Sequence, residues 1–226
     1  MVNLAEIINE VSTIAALDLY YETHHVQRRR LGISQIGHKC RRYLWYKHHG
    51  YDESAIPGRV LRLFQLGNII EDHIAEDLAK AGVIVGKRQY PVEFTLGGIT
   101  LSGSIDGVVE GLIESSKPHV WECKTVGSKY WSKLKKNGYE QYNEQYKAQI
   151  HAYMLGTGLK RAFVTAYNKD TSELYQERIK LNREWIVDKL ADVFNVICQE
   201  SIPERECPRA DWYEAKWCCF YGECFK

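Results

Sequence analysis

No stretch of the chain approaches the ~20 consecutive apolar residues that a bilayer crossing needs, so no integral membrane segment is expected. The N-terminus, Met1-Val2-Asn3-Leu4-Ala5-Glu6, lacks a basic stretch followed by an apolar one. No signal peptide is therefore expected, and a cytoplasmic location is the expectation. Net charge is almost missing too: 30 Lys and Arg face 29 Asp and Glu, a formal +1. Overall charge therefore says nothing for or against nucleic acid, and any basic footprint must be local. Internal repeats, low-complexity tracts and a clear linker are also missing. What remains is globular: 226 residues, 45% apolar and 26% charged, which suits one α/β domain with a terminal appendage. Inside a cell, seven cysteines read as thiols or metal ligands rather than disulfides.

Periodicity predicts a first helix from Leu4 to about Tyr20, broken by Arg28 to Arg30 and Gly32. Ser34 is a candidate N-cap for a second helix running through Cys40, Leu44 and Trp45 to Gly50. After a loop at Pro57-Gly58, Leu63, Leu66, Ile70 and Ile74 recur at spacings of three and four, a long amphipathic helix closed by Gly82. Tyr90 to Phe94, Ile99 to Ile105, Val108 to Leu112 and Val120 to Thr125 read as strands, with Gly97-Gly98 as a hairpin turn. Gln141 to Leu155 is helical, Ala162 to Tyr167 and Leu174 to Ile179 are strands, and Leu181 to Glu200 is a final helix. The expected sheet is mixed and mostly antiparallel, flanked by helices, with Asp106, Glu122 and Lys124 at one sheet edge.

Chemistry concentrates in the strands. Ser104-Ile105-Asp106-Gly107 precedes Val120-Trp121-Glu122-Cys123-Lys124. Successive strand side chains alternate between faces, so Glu122 and Lys124 share a face and Cys123 points away. An Asp at one strand end beside Glu-x-Lys on the next supplies two hard oxygen ligands for a divalent cation and one amine to handle a water. Asp-Gly alone is a common turn, and Glu-x-Lys alone is a common surface ion pair. Glu71 sits in the long helix next to Ile70, at the margin of its apolar stripe; by itself it reads equally as a boundary residue. Gln149 and Tyr153 share one helix face. Gln149 is a candidate to orient a phosphate or metal-bound water, and Tyr153 to contact a DNA backbone; plain helix packing is the alternative.

In order, Gly67-(x3)-Glu71, Ser104-Ile105-Asp106-Gly107, Glu122-Cys123-Lys124 and Gln149-(x3)-Tyr153 resemble the RecB-type branch of the PD-(D/E)XK nucleases. That branch includes CRISPR-adaptation and phage exonucleases. Cys40-Arg41-Arg42-Tyr43-Leu44-Trp45-Tyr46, Arg59-Val60-Leu61-Arg62-Leu63-Phe64 and Asn168-Lys169-Asp170 are similar to the phage members. The resemblance runs from about Ser34 to the C-terminus. It implies a restriction-endonuclease-like core over 34–200, an N-terminal helical segment over 1–33, and a cysteine-rich tail over 201–226 that packs back near Cys40. It also implies that Asp106, Glu122 and the carbonyl of Cys123 ligate Mg²⁺ or Mn²⁺, with Glu71 binding through water or at a second site. Two carboxylates plus substrate phosphate suit magnesium, which prefers octahedral oxygen and keeps several waters. Lys124 would position or deprotonate the attacking water. The two basic segments put Arg41, Arg42, Arg59 and Arg62 forward for the DNA backbone, although any one cluster alone reads as a solvated face.

Many relatives join their ends with a [4Fe-4S] iron–sulfur cluster, one Cys near the start and three near the end. Here Cys40, Cys207, Cys218 and Cys224 match, with Cys219 as the alternative ligand, because Ala215 stands where a further Cys is expected. Four thiolates suit zinc equally, and free thiols are the remaining reading. Cys123 and Cys198 read as packing. The expected function is metal-dependent DNA exonuclease activity on single-stranded or duplex ends, in phage or mobile-element recombination or repair, in the host cytoplasm and beside recombination or replication proteins. A structure-specific or nicking endonuclease is the enzyme alternative. A DNA-binding or CRISPR-adaptation partner with an idle site is the non-enzyme alternative, and the intact Asp, Glu and Lys argue against it.

Overall fold

The computed structural model describes residues 12–226. The start of the expected first helix, from Leu4, lies outside the described residues. Helix α1 spans Thr13–His24, capped by Ser12, whose hydroxyl accepts from the Ala15 amide at 3.3 Å. It leans on helix α3, Gly58–Lys80. The approach is close: a Cβ at Gly58 would stand 2.4 Å from the Asp18 carbonyl oxygen. The Gly58 amide donates to Glu22 at 2.7 Å, and Arg62 pairs with Asp18.

Ser34 does not start the second helix. It lies in a short 3-10 turn, Ile33–Gln35, and helix α2 begins only at Arg41, running to His49. The cause is Gly37, where a Cβ would fall 2.5 Å from the Gln145 backbone, so the chain turns there against a later helix. Cys40 is the N-cap instead, its sulfur accepting from the Tyr43 amide at 3.4 Å. Gly50, at φ 72°, ends α2 in the left-handed conformation.

Strands follow as β1 (Ile84–Gly86), β2 (Tyr90–Leu96), β3 (Ile99–Ile105), β4 (Gly107–Glu110) and β5 (His119–Val126). Helices α4 (Ser128–Asn137), α5 (Tyr139–Tyr142) and α6 (Glu144–Thr157) then lead to β6 (Arg161–Asn168), β7 (Leu174–Lys180) and α7 (Arg183–Ile197). Two short turns of helix, α8 (Tyr213–Lys216) and α9 (Tyr221–Cys224), close the chain. Strands β2 and β3 form a separate hairpin around Gly97 and Gly98, at φ 57° and 80°. Such a two-residue turn needs both left-handed residues.

The central sheet has the order β1-β4-β5-β6-β7. All its pairs are antiparallel except β5–β6. A parallel pair requires a crossover, supplied here by α4, α5 and α6. Strand β5 is therefore the middle of the sheet, not an edge, which corrects the expectation that the acidic site lies at a sheet edge. Residues Val109, Trp121 and Phe163 face Ile70 and Ile74 of α3. Val120, Ala162 and Val164 face the core built on α6 and α7. The result is a mixed sheet between helical layers. The C-terminal segment lies on α2. Trp45 Nε1 donates to the Gln199 carbonyl at 2.9 Å, Arg42 Nε to the Pro203 carbonyl at 2.7 Å, and buried Phe220 packs edge-on to Tyr43.

Candidate active site

Strand β5 carries the site because its alternation is strict. Trp121 and Cys123 turn toward α3, and Trp121 donates to Thr165 at 3.0 Å. Glu122 and Lys124 turn the other way and pair with each other. The Glu122 side chain is 1% exposed and that of Lys124 is 20% exposed. Asp106 stands at the bend between β3 and β4, and its Oδ2 accepts from the Cys123 amide at 2.8 Å. That bond locks the Asp to the Glu-x-Lys strand. Gly107 has no left-handed φ, so it is not the sharp turn its neighbour Asp suggested. It is small because a Cβ there would meet the Gly86 carbonyl at 3.1 Å and the Trp121 ring at 3.3 Å.

These groups open into a cleft of about 970 Å³. Leu63, Phe64, Gly67, Asn68 and Glu71 of α3 line one side. Lys129, Tyr130, Tyr142, Tyr146 and Gln149 line the other, and Lys169 and Asp170 lie between β6 and β7. Leu63 and Leu66 were expected to be buried with Ile70 and Ile74. They are 42% and 39% exposed, because only the second half of α3 covers the sheet while the first half borders the cleft.

Burial raises Asp106 well above the ordinary carboxylate range, and the neighbouring Glu122 charge adds to it. Burial likewise raises Glu122, against the pull of Lys124. Lys124 behaves oppositely: burial works against its charge, but Glu122, Tyr139 and Asp106 outweigh burial and hold it well above its usual value. Two crowded acids beside a firmly cationic amine are the outcome. Oε2 of Glu122 is buried and finds no hydrogen-bond partner among the described residues, nor does the Tyr139 hydroxyl.

The other candidates divide. Glu71 reaches the cleft, but its Oε1 is taken by Arg88 Nη2 at 2.7 Å and Gln89 Nε2 at 2.9 Å. Gln149 lines the cleft as expected. Tyr153 does not. It is 2% exposed, its hydroxyl accepts from Gln149 at 3.4 Å, and it packs beneath Gly103, where a Cβ would come within 2.8 Å of that hydroxyl. The expected DNA contact by Tyr153 is thus replaced by support of Gln149 from below. Arg41 pairs with Asp192, Arg42 is turned to Pro203 and to the Cys224 sulfur at 3.7 Å, and Arg62 pairs with Asp18. These three, with Arg59, lie outside the cleft lining. The cleft's own cations are Lys124, Lys129 and Lys169, and its aromatics are Phe64, Tyr130, Tyr142 and Tyr146. Lys129 belongs to the run Lys129–Lys136, which reads in sequence as a basic patch; only its place at the start of α4 brings it to the site.

Among the described residues, no group of three or more His, Cys, Asp or Glu side chains is set as it stands to hold a metal ion. For a divalent cation the donors still fit: two raised carboxylates, one with an unpartnered oxygen, are what such a charge would relieve. For the cysteines, Cys40, Cys207, Cys218 and Cys219 line one cavity of about 610 Å³ with His38, and Cys224 lies outside that lining. Thiols are soft donors of the kind zinc or iron takes; burial pushes the Cys40 thiol up to about 11, while a hydrogen bond from Cys219 lowers Cys218 to about 6.

No family model and no curated protein sequence matches the chain. Solved structures do. The crystal structure of SSO0001 aligns over 99% of this chain and 98% of that one, at 16% identity and a TM-score of 0.53. An alkaline exonuclease from Laribacter hongkongensis, LHK-Exo, aligns over 79% of this chain and 90% of its own, at 16% identity and a TM-score of 0.52. The same exonuclease in complex with dAMP gives 17% identity and 0.52, over 75% and 87%. The chain therefore shares its fold with an alkaline exonuclease.

Proposed function

We propose that the protein is a Mg²⁺- or Mn²⁺-dependent deoxyribonuclease of the RecB-type PD-(D/E)XK branch, acting as an exonuclease at DNA ends. The observation that carries the reading is the trio on β5 and its neighbour. Asp106 is bonded to the Cys123 amide, and Glu122 keeps a buried oxygen without a partner among the described residues, beside the Lys124 side chain. Asp106, Glu122 and the Cys123 carbonyl would hold the cation. When bound, it would lower the pKa of its water and polarise the scissile phosphate.

The chain's own groups do the rest. Lys124 would position the attacking water or take its proton, and it would offset charge growing on the phosphate. Gln149 borders the same cleft and is placed to hold a phosphate oxygen or a water. Lys129 and Lys169 offer phosphate contacts, and Phe64 and Tyr130, 53% and 49% exposed, offer ring faces to unpaired bases.

In the same reading Cys40, Cys207 and Cys218 hold a [4Fe-4S] cluster or zinc that ties α2 to the tail. Cys224 is the fourth ligand of this reading, with Cys219, which shares their cavity, as the alternative. A cytoplasmic role in phage or mobile-element DNA processing rests on family resemblance. No helix among the described residues is long and apolar enough to cross a membrane.

The test is incubation of end-labelled linear DNA and covalently closed circular DNA in EDTA, Mg²⁺ and Mn²⁺. Cation-dependent loss of linear DNA with persistence of circles supports the reading. Rapid linearisation of circles shifts it to an endonuclease, and no cleavage in any cation ends it.

A further inference from the structure

The turn between β1 and β2 is unusual. Lys87 and Gln89 both hold left-handed backbones, at φ 48° and 51°, and neither is glycine. Such conformations persist only where the surroundings impose them, and they gather at functional sites. Between them stands Arg88, and what it touches explains the turn. Its Nε donates to the Asp106 carbonyl at 2.8 Å. Its Nη2 donates to Glu71 and to Asp72, each at 2.7 Å. Its guanidinium lies 5.4 Å from the centre of the Trp121 ring, the residue just before Glu122. Gln89 adds a bond to Glu71 at 2.9 Å and accepts from Ser104 at 2.9 Å. One side chain therefore joins α3, the β3–β4 bend and β5, the three elements that carry the acidic groups.

We infer that Arg88 is a positioning residue. It sets the backbone of Asp106 and holds Glu71 as an anchored carboxylate, leaving the cation to Asp106 and Glu122. The inference rests on the nuclease reading above. Two separable properties follow. The planar fork, with its distinct Nε and Nη2 donors, is what fixes Asp106, and lysine cannot reproduce that geometry. The positive charge is what competes with a cation for Glu71, and lysine can reproduce that.

The experiment compares wild type, Arg88→Met, Arg88→Lys and Asp72→Ala. It reads kcat and KM on linear DNA, and Mn²⁺ affinity by electron paramagnetic resonance with the DNA left out. Arg88→Met should lower kcat at least tenfold with KM within twofold, while Mn²⁺ binds several-fold tighter. Arg88→Lys should keep the low kcat and return Mn²⁺ affinity to the wild-type value. Asp72 is exposed, so Asp72→Ala leaves the fold intact and should lower kcat partway by removing one of the acceptors that hold the guanidinium. It decides the matter if Arg88→Met does not fold: an unchanged kcat in Asp72→Ala would then overturn the inference. So would wild-type turnover in Arg88→Met, or a parallel fall of kcat, Mn²⁺ affinity and thermal stability, which is what a merely structural residue would give. If wild type itself neither binds Mn²⁺ nor cleaves DNA, it is the nuclease reading that fails.

Discussion

Replacing Lys124 with Met would separate what this lysine does for the fold from what it does for chemistry. Met keeps most of the side-chain length and removes only the ammonium. Glu122, 1% exposed, would then be left with one carboxylate oxygen already lacking a partner among the described residues and the other newly deprived of one. Breaking a buried ion pair from one side costs about 3–5 kcal/mol, because a bare charge remains. For a chain of this length each kcal/mol moves the melting midpoint by ~2–4 °C, so a fall of roughly 6–20 °C is expected. Glu122 has an escape, which is to take a proton. A carboxyl whose folded pKa lies above its unfolded one contributes its stability below the ordinary carboxylate range and loses it as pH rises through the raised value. The deficit of Lys124→Met should therefore be smaller at acidic than at alkaline pH. Adding Glu122→Gln removes the second charge and should restore most of the stability while cleavage stays lost. Urea unfolding in EDTA at both pH values, beside cleavage of end-labelled DNA in Mg²⁺, provides the readout. Equal stability of Lys124→Met and wild type at the higher pH would refute the buried-pair argument, and near-normal cleavage would refute the catalytic one.

Wild type should show the same linkage in milder form. Because burial raises both Asp106 and Glu122, the EDTA-treated protein should lose stability as pH climbs above the carboxylate range, and saturating Mg²⁺ should abolish that slope in thermal melts. Gly107→Ala would place a methyl 3.1 Å from the Gly86 carbonyl and 3.4 Å from Arg88 Cδ. It should cost about 1–3 kcal/mol in urea unfolding, together with most of the activity, since Asp106 must shift; activity at the wild-type level would disprove the tight fit. Cys40→Ser should lower bound iron or zinc and the melting midpoint together, whereas Cys198→Ser, exposed at the end of α7, should change neither. Elemental analysis after anaerobic purification checks both, and absence of both metals from wild type would leave ordinary thiols.

How much of this could be read from the chain alone depends on the range of the rule involved. Strand alternation acts between neighbours, so the run Val120 to Lys124 was enough to put Glu122 and Lys124 on one face and Cys123 on the other. The Gly97-Gly98 hairpin and the second half of α3 were legible for the same reason: each follows from residues within a turn or two. Partner choice is different. Nothing in the periodicity of β5 says that its second side pairs in parallel with β6, some forty residues on, and that pairing alone makes the acidic strand central. Nor does an amphipathic stripe say where the sheet stops beneath it, which is why Leu63 and Leu66 face open space. Tyr153 and Gln149 share a helix face in any reading; only the approach of β3 at Gly103 sends one beneath the sheet hairpin and leaves the other at the cleft. Arg88 carries no motif at all, and its role exists only because α3, the β3–β4 bend and β5 meet around one guanidinium. The amino-acid order by itself determined which groups can do the chemistry, because their types and local faces are set by covalent geometry. Tertiary structure decided which of them meet and which cations border the cleft, because packing between distant segments is a property of the whole chain.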